Sequence, residues 1–184
     1  MTATTMPLMT AGEFVAKHEN ERVELIDGVV VEMPVPQKIH GYVVSNFGTD
    51  LTVYVRATGL GRVITGDSFV QLPSTPGKAE TIVGPDIAFY SYGAMPQVPK
   101  TLTHHLPELV VEVRSPTDRE KAVIGKINRY LNAGIPVVIQ VDPENFSLTV
   151  YRKGELQQVF DNGDELTIPD VLPGFSVKVR SLFE

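Results

Sequence analysis

The chain has 184 residues, 42% hydrophobic and 21% charged, with a formal net charge of −6. The absence of cysteine excludes a disulfide framework, a thiolate metal site and a cysteine nucleophile. The acidic balance speaks against a tight nonspecific nucleic-acid binder. It leaves room for an enzyme whose carboxylates are completed by a cation.

The expectation is one domain over residues 1–184, large enough to bury a core without staples. There is neither a signal-like N-terminus nor an apolar run long enough to span a bilayer, so a cytoplasmic protein is expected.

Residues 1–9 read as a loose leader. Thr10, with Glu13 three positions on, is a capping box opening a short helix. Segments 21–26 and 29–33 flank Asp27-Gly28, a strong hairpin signal, and Pro34 and Pro36 end the hairpin. Val43, Val44, Phe47, Leu51, Tyr54 and Val55 recur at helical spacing over 40–57, and Gly59 and Gly61 stop the helix.

Strands are expected at 62–65, 67–72, 85–90 and 108–114, with a Pro/Gly/Ser loop at 73–78. Thr117 with Glu120 forms a second capping box. The helix it opens buries Val123, Ile127, Tyr130 and Leu131 and closes at Gly134. An apolar strand follows at 135–141, then a hairpin of 146–151 with 155–160, and a last strand at 175–180 after Pro173-Gly174. The strand–helix–strand unit at 108–141 implies a parallel pair, with hairpins on either side. The fold class is therefore α/β or α+β, with a central mixed sheet.

Polar residues interrupt this apolar pattern. Asp86 opens the run Ile87-Ala88-Phe89-Tyr90, and Glu112 lies inside Leu109-Val110-Val111-Glu112-Val113. A buried charge costs several kcal/mol unless it is paired or bound to metal. Strand alternation puts one carboxylate on a single face of each strand, and if the strands pair the two could share a cation. Two carboxylates plus water and phosphate oxygens commonly hold Mg²⁺. The alternatives are that Pro85-Asp86 merely starts a strand and that Glu112 pairs with Arg114 or Arg129.

Lys126 flanks the core-facing side of the following helix, one turn from Tyr130. It could reach the carboxylates and stabilise a phosphoryl transition state, or it could be a solvated lysine. Five basic residues, Arg114, Arg119, Lys121, Lys126 and Arg129, fall within 16 positions. They make a local footprint for a phosphate backbone or an ordinary charged helix face. Glu24 is an accessory ligand or a partner of Arg22. Asp142 reads as a strand-end turn residue, and His40 as a phosphate contact or a structural histidine. His104 and His105 are adjacent, so they point apart in any strand. Walker-type loops, serine elbows and zinc helices are missing.

Eight pieces occur in order over about 10–183: Arg22-Val23-Glu24-Leu25-Ile26-Asp27-Gly28, Leu60-Gly61-Arg62-Val63, Pro85-Asp86, and Pro107-Glu108-Leu109-Val110-Val111-Glu112-Val113-Arg114-Ser115-Pro116, then Lys126-x-x-x-Tyr130, Ala133-Gly134-Ile135-Pro136, Val141-Asp142-Pro143 and Leu172-Pro173-Gly174-Phe175. In this order they resemble the Uma-two family of restriction endonuclease-like proteins, a branch of the PD-(D/E)XK nuclease superfamily.

The resemblance implies a restriction-endonuclease-like core, with a central mixed sheet flanked by helices, to which the hairpins read from the sequence add at the N- and C-terminal ends. It implies that Asp86 and Glu112 bind the metal, Mg²⁺ with Mn²⁺ as a substitute, and that Lys126 replaces the lysine missing from the usual Glu-x-Lys place. Arg114 occupies that place here; it cannot act as a base but can clamp a phosphate. Glu24 is similar to an accessory acid. Gln140 replaces part of the family's aromatic pair before Val-Asp-Pro, either as a site residue or as a strand amide satisfied by backbone.

The resulting expectation is an Mg²⁺-dependent DNA endonuclease that uses a metal-activated water. Asp86, Glu112 and Lys126 would be its catalytic residues, Glu24, Gln140 and Arg114 would support them, and a homodimer would cut both strands. The rival is a catalytically silent binding or assembly module that retains the nuclease fold, with Glu112 locked to Arg114 or Arg129. A metal-dependent small-molecule phosphatase ranks third.

Overall fold

The computed structural model describes residues 8–74, 79–116 and 118–184. The first helix, α1 (Ala11–His18), carries the expected capping box between Thr10 and Glu13. Strands β1 (Val23–Ile26) and β2 (Val29–Glu32) form the expected hairpin. Its turn residues Asp27 (φ 50°) and Gly28 (φ 77°) both take the positive φ that a tight two-residue turn requires. The second helix, α2 (Lys38–Thr58), ends at Gly59 in the left-handed conformation.

Then follow β3 (Gly61–Thr65), β4 (Val70–Leu72), β5 (Thr81–Val83), β6 (Ile87–Ser91) and β7 (Leu109–Val113). Helix α3 (Glu120–Ala133) leads to β8 (Val137–Asp142), β9 (Ser147–Arg152), β10 (Gln158–Phe160), β11 (Glu165–Ile168) and β12 (Leu172–Lys178). A short 3₁₀ turn over Val179–Leu182 closes the chain.

Six strands form the main sheet in the order β10-β9-β8-β7-β6-β3. The β7–β8 pair is parallel, as the intervening α3 requires, and its neighbours are antiparallel, so the sheet is mixed. On one face, Val43, Phe47, Leu51 and Val55 of α2 pack on Phe89, Leu109, Val111 and Ile139, with the β11–β12 hairpin completing the core. On the other, Ile127, Tyr130 and Leu131 of α3 pack on Val110 and Val138. The fold class expected from the sequence, a central mixed sheet flanked by helices, is the one observed.

The N-terminal hairpin does not stand apart. It joins a second, four-stranded sheet in the order β2-β1-β5-β4, whose Val70, Leu72 and Val83 share the α3 core. Strands β5 and β11 were not expected from the sequence, and the last strand starts at Leu172 rather than 175. The proposed capping box at Thr117 falls on a residue outside those described. Helix α3 begins at Glu120 behind Arg119, which makes no side-chain cap.

Gly61 sits where β3 closes on β6, and a Cβ there would lie 2.0 Å from the Tyr90 carbonyl oxygen and 2.7 Å from the Ser91 Cα. Both obstacles are backbone, so the strands must separate to admit a methyl. Gly61→Ala is expected to cost about 3 kcal/mol or more, a melting-temperature loss of roughly 6–12 °C for a domain of this size, read by thermal denaturation.

Candidate active site

The two sheets and α3 enclose a cleft of about 520 Å³. Among the described residues four polar or charged ones are buried: Glu24, Gln71, Asp86 and Ser115. The two carboxylates of that set, Glu24 (8% exposed) and Asp86 (7%), both line the cleft, together with Glu112 and Lys126. Four residues far apart in the chain therefore converge.

Register explains the pairing of the two strand acids. Ala88 lies opposite Val110 and Ile87 opposite Val111, so the next step sets Asp86 beside Glu112. Asp86 is tied there because its Oδ2 accepts the Val113 backbone N–H at 2.7 Å. Its Oδ1 faces His40 Nε2 at 3.2 Å, from the first turn of α2. Across β7–β8, Glu112 is registered with Gln140.

Lys126 reaches back from α3 as its position allowed. Its Nζ lies 2.9 Å from Glu24 and 3.0 Å from Glu112, and 3.4 Å from the Gly84 carbonyl oxygen. Three acceptors match the three N–H bonds of an ammonium. Glu24 also accepts the Gly84 N–H at 3.0 Å, so β1, β5 and α3 are joined at one point. One turn beyond Lys126, the buried Tyr130 donates its hydroxyl to Glu112 at 2.5 Å. Glu112 thus pairs with Lys126, and neither Arg114 nor Arg129 takes that place. The alternative pairing of Glu24 with Arg22 is also not found, since Arg22 binds Asp67 at 2.6 Å.

The supporting residues divide. Gln140 lines the cleft, and its side-chain oxygen accepts the Tyr151 hydroxyl at 3.1 Å, which fixes it in the wall. Arg114 lines the cleft too but leans toward Asp142 at 3.5 Å. Asp142 is the strand-end turn residue expected, accepting the backbone N–H groups of Glu144 and Asn145. His105 bonds Thr103, outside this cluster. Two contributors were underweighted from sequence. His40 has two open readings in the sequence, a phosphate contact or a structural histidine, and Tyr130 stands there in the apolar stripe and the Lys126-x-x-x-Tyr130 piece with no role for its hydroxyl. The Lys126-x-x-x-Tyr130 spacing was the available signal, since it sets both side chains on one helix face.

Three acids face one lysine, and the electrostatics reflect that excess. Burial pushes the Glu112 carboxyl up to about 8, with Asp86 and Glu24 adding to the rise and Lys126 and Tyr130 opposing it. Burial works against the Lys126 ammonium, but Glu112 and Glu24 outweigh it and raise its pKa, so it stays protonated. Burial, followed by the Glu112 charge, also lifts the Tyr130 hydroxyl well above its ordinary value, so it remains a donor. His40 is depressed by burial, yet its bond to Asp86 and the nearby carboxylates leave it raised overall.

Among the described residues no group of three or more Asp, Glu, His or Cys side chains stands ready to ligate one ion unaided. The donor set suits a hard cation that takes two carboxylates and keeps most of its waters. The under-compensated charge at Glu112 is the structural feature such an ion would relieve.

No curated protein matches the chain. Among solved structures it is similar to "Crystal structure of a putative nuclease belonging to DUF820 from Anabaena variabilis", with a TM-score of 0.82 and 21% identity over 95% of this chain and 97% of that one. That likeness shows a shared fold. A family model described as Uma2, "Putative restriction endonuclease", matches residues 11–180, almost the whole chain from the α1 capping region to the final 3₁₀ turn, and the chain belongs to that family.

Proposed function

We propose that the protein is a metal-dependent DNA endonuclease, with Asp86, Glu112 and Lys126 as its catalytic residues. The observation that carries the reading is the delivery of Lys126 from α3 to within 3.0 Å of Glu112, in the cleft that Asp86 also lines. The family's description and the nuclease-named structural neighbour support it. Asp86 and Glu112 would hold Mg²⁺ or Mn²⁺, an ion that lowers the pKa of bound water and neutralises charge on phosphoryl oxygens.

The chain's own groups have distinct parts. Lys126 stays cationic, so it serves as a fixed positive charge for the phosphate oxygens rather than as a base. Tyr130 and Glu24 position it and Glu112 through their bonds to both. Cutting both strands of a duplex needs two such sites, which a symmetric pair of chains would supply.

One observation favours the silent-module reading. The acids already have internal partners: Glu112 has Lys126 and Tyr130, and Asp86 has His40 and the Val113 N–H. Supercoiled plasmid separates the two readings. The nuclease converts it to the open circle with Mg²⁺ or Mn²⁺ and not with chelator. A folded protein that leaves it supercoiled at every metal concentration, while Asp86→Ala behaves identically, is the silent module.

Tyr130→Phe removes a bond that stabilises the ionised form of Glu112. Nicking is expected to fall by roughly tenfold at pH 7 and to recover as pH rises, because Glu112 then ionises later. A rate–pH profile of the variant against wild type reads the shift.

A further inference from the structure

We propose that α3 carries a phosphate track beside the carboxylates. Lys121, Gly125 and Arg129 form one stripe that holds the sugar–phosphate backbone of a DNA strand. The identity of the strand rests on the nuclease reading; the existence of the track does not.

All three residues line the cleft alongside Lys126. They are spaced four and eight positions apart on one helix face, about 12 Å of axial rise at 1.5 Å per residue. That span matches roughly three to four nucleotides of a strand rising ~3.4 Å each.

Gly125 is the informative member. Glycine in a helix interior weakens the helix. Yet a Cβ added at Gly125 meets nothing within 4 Å, and its backbone is not in the left-handed region. Neither packing nor conformation calls for it. Any side chain there would stand in the open cleft between Lys121 and Arg129, where a strand backbone would otherwise pass.

The charges agree with this placement. Arg22, Arg152 and Arg180 are each held by a carboxylate within 3 Å. Lys121 and Arg129 form no ion pair among the described residues. Asp118 also lines the cleft, but its carboxylate accepts the Ser115 N–H at 2.7 Å. Across the cleft from α3, the lip is made by the apolar Val31, Met33, Pro34 and Pro36, with Glu32 as its one carboxylate. A strand has the same two sides, phosphates toward α3 and sugars and bases toward the lip.

The test is fluorescence anisotropy of a labelled DNA oligonucleotide with the full chain in chelator, so that affinity is read without cleavage. Lys121→Glu/Arg129→Glu should bind roughly tenfold or more weakly and lower the slope of log affinity against log salt by about 2. Gly125→Leu should weaken binding several-fold while melting at or somewhat above the wild-type temperature, because leucine favours the helix. Lys153→Glu, in the β9–β10 turn and outside the cleft, should bind as wild type does. Metal-dependent hydrolysis of bis(4-nitrophenyl) phosphate, too small to span the track, is followed in the wild type and in Lys153→Glu, where it should be the same.

Wild-type affinity in both cleft variants overturns the track while leaving the nuclease reading intact, as does a wild type that does not bind. A wild type that hydrolyses neither substrate sinks the nuclease reading, and the binding arm still decides the track.

Discussion

Lys126→Met is expected to lower plasmid nicking by about 10²–10³-fold at saturating metal, the usual scale for removing one preorganised charge from a transition state. Methionine nearly preserves the stem, so the loss isolates the ammonium. The defect should lie in the rate at saturating DNA rather than in DNA affinity, because the ammonium sits behind Glu24 and Glu112 and is not on the exposed stripe. Lys126→Arg should retain more activity than Lys126→Met, since a fixed cation survives even though the guanidinium fork does not fit the three acceptors at Gly84, Glu24 and Glu112. If Lys126→Arg is as inactive as Lys126→Met while both stay folded, the fixed-charge role is wrong and proton transfer by the lysine becomes the better account.

Glu112→Gln should abolish metal-dependent nicking, a loss of about 10³-fold or more, and at the same time stabilise the metal-free protein at alkaline pH. The sign follows from linkage. The folded carboxyl titrates near 8, against an ordinary value of 4.5, so the folded state holds its proton more tightly than the unfolded state does. Its contribution is fully present below pH 4.5 and is lost as pH rises through about 8. The metal-free wild type should therefore melt progressively lower across that window, by an amount on the order of a few kcal/mol. Glutamine carries no charge to bury, so the variant's melting curve should be flatter over the same range. Added Mg²⁺ should restore the wild type's loss and leave the variant unchanged. A variant that melts lower than wild type at every pH would show that the Glu112–Lys126 pair is a net stabiliser, contrary to this argument.

The parts of the site that could be read from sequence are those that break a pattern. Asp86 and Glu112 stand out because each is a charge within an apolar strand, and strand period alone sets them on faces that can meet. Lys126 needed the helix phase as well, and both steps agree with the geometry found. His40 offered no such signal. It breaks no apolar run, and only the packing of α2 against the main sheet brings it to Asp86, 46 positions away in the chain. Tyr130 satisfied the apolar stripe completely, so its hydroxyl's partner was hidden by its good fit as core.

Fold legibility divides in the same way. Capping residues, the Asp27-Gly28 turn and the α3 period are local, and the elements they mark were found within a few residues. Strands β5 and β11, of three and four residues, are too short to show alternation. The four-stranded sheet was missed because β5 joins it through long-range pairing with β1, which no local pattern records.

The most direct test of the central claim is a calorimetric titration of Mg²⁺ and Mn²⁺ into the wild type and the Asp86→Ala/Glu112→Ala variant, with plasmid nicking followed on the same samples. The account predicts metal binding by the wild type that disappears in the double variant, and nicking that tracks it. A folded wild type that takes up no metal at millimolar concentration, even with DNA present, would mean that Lys126, Tyr130 and His40 are the permanent partners of these acids and would contradict the claim.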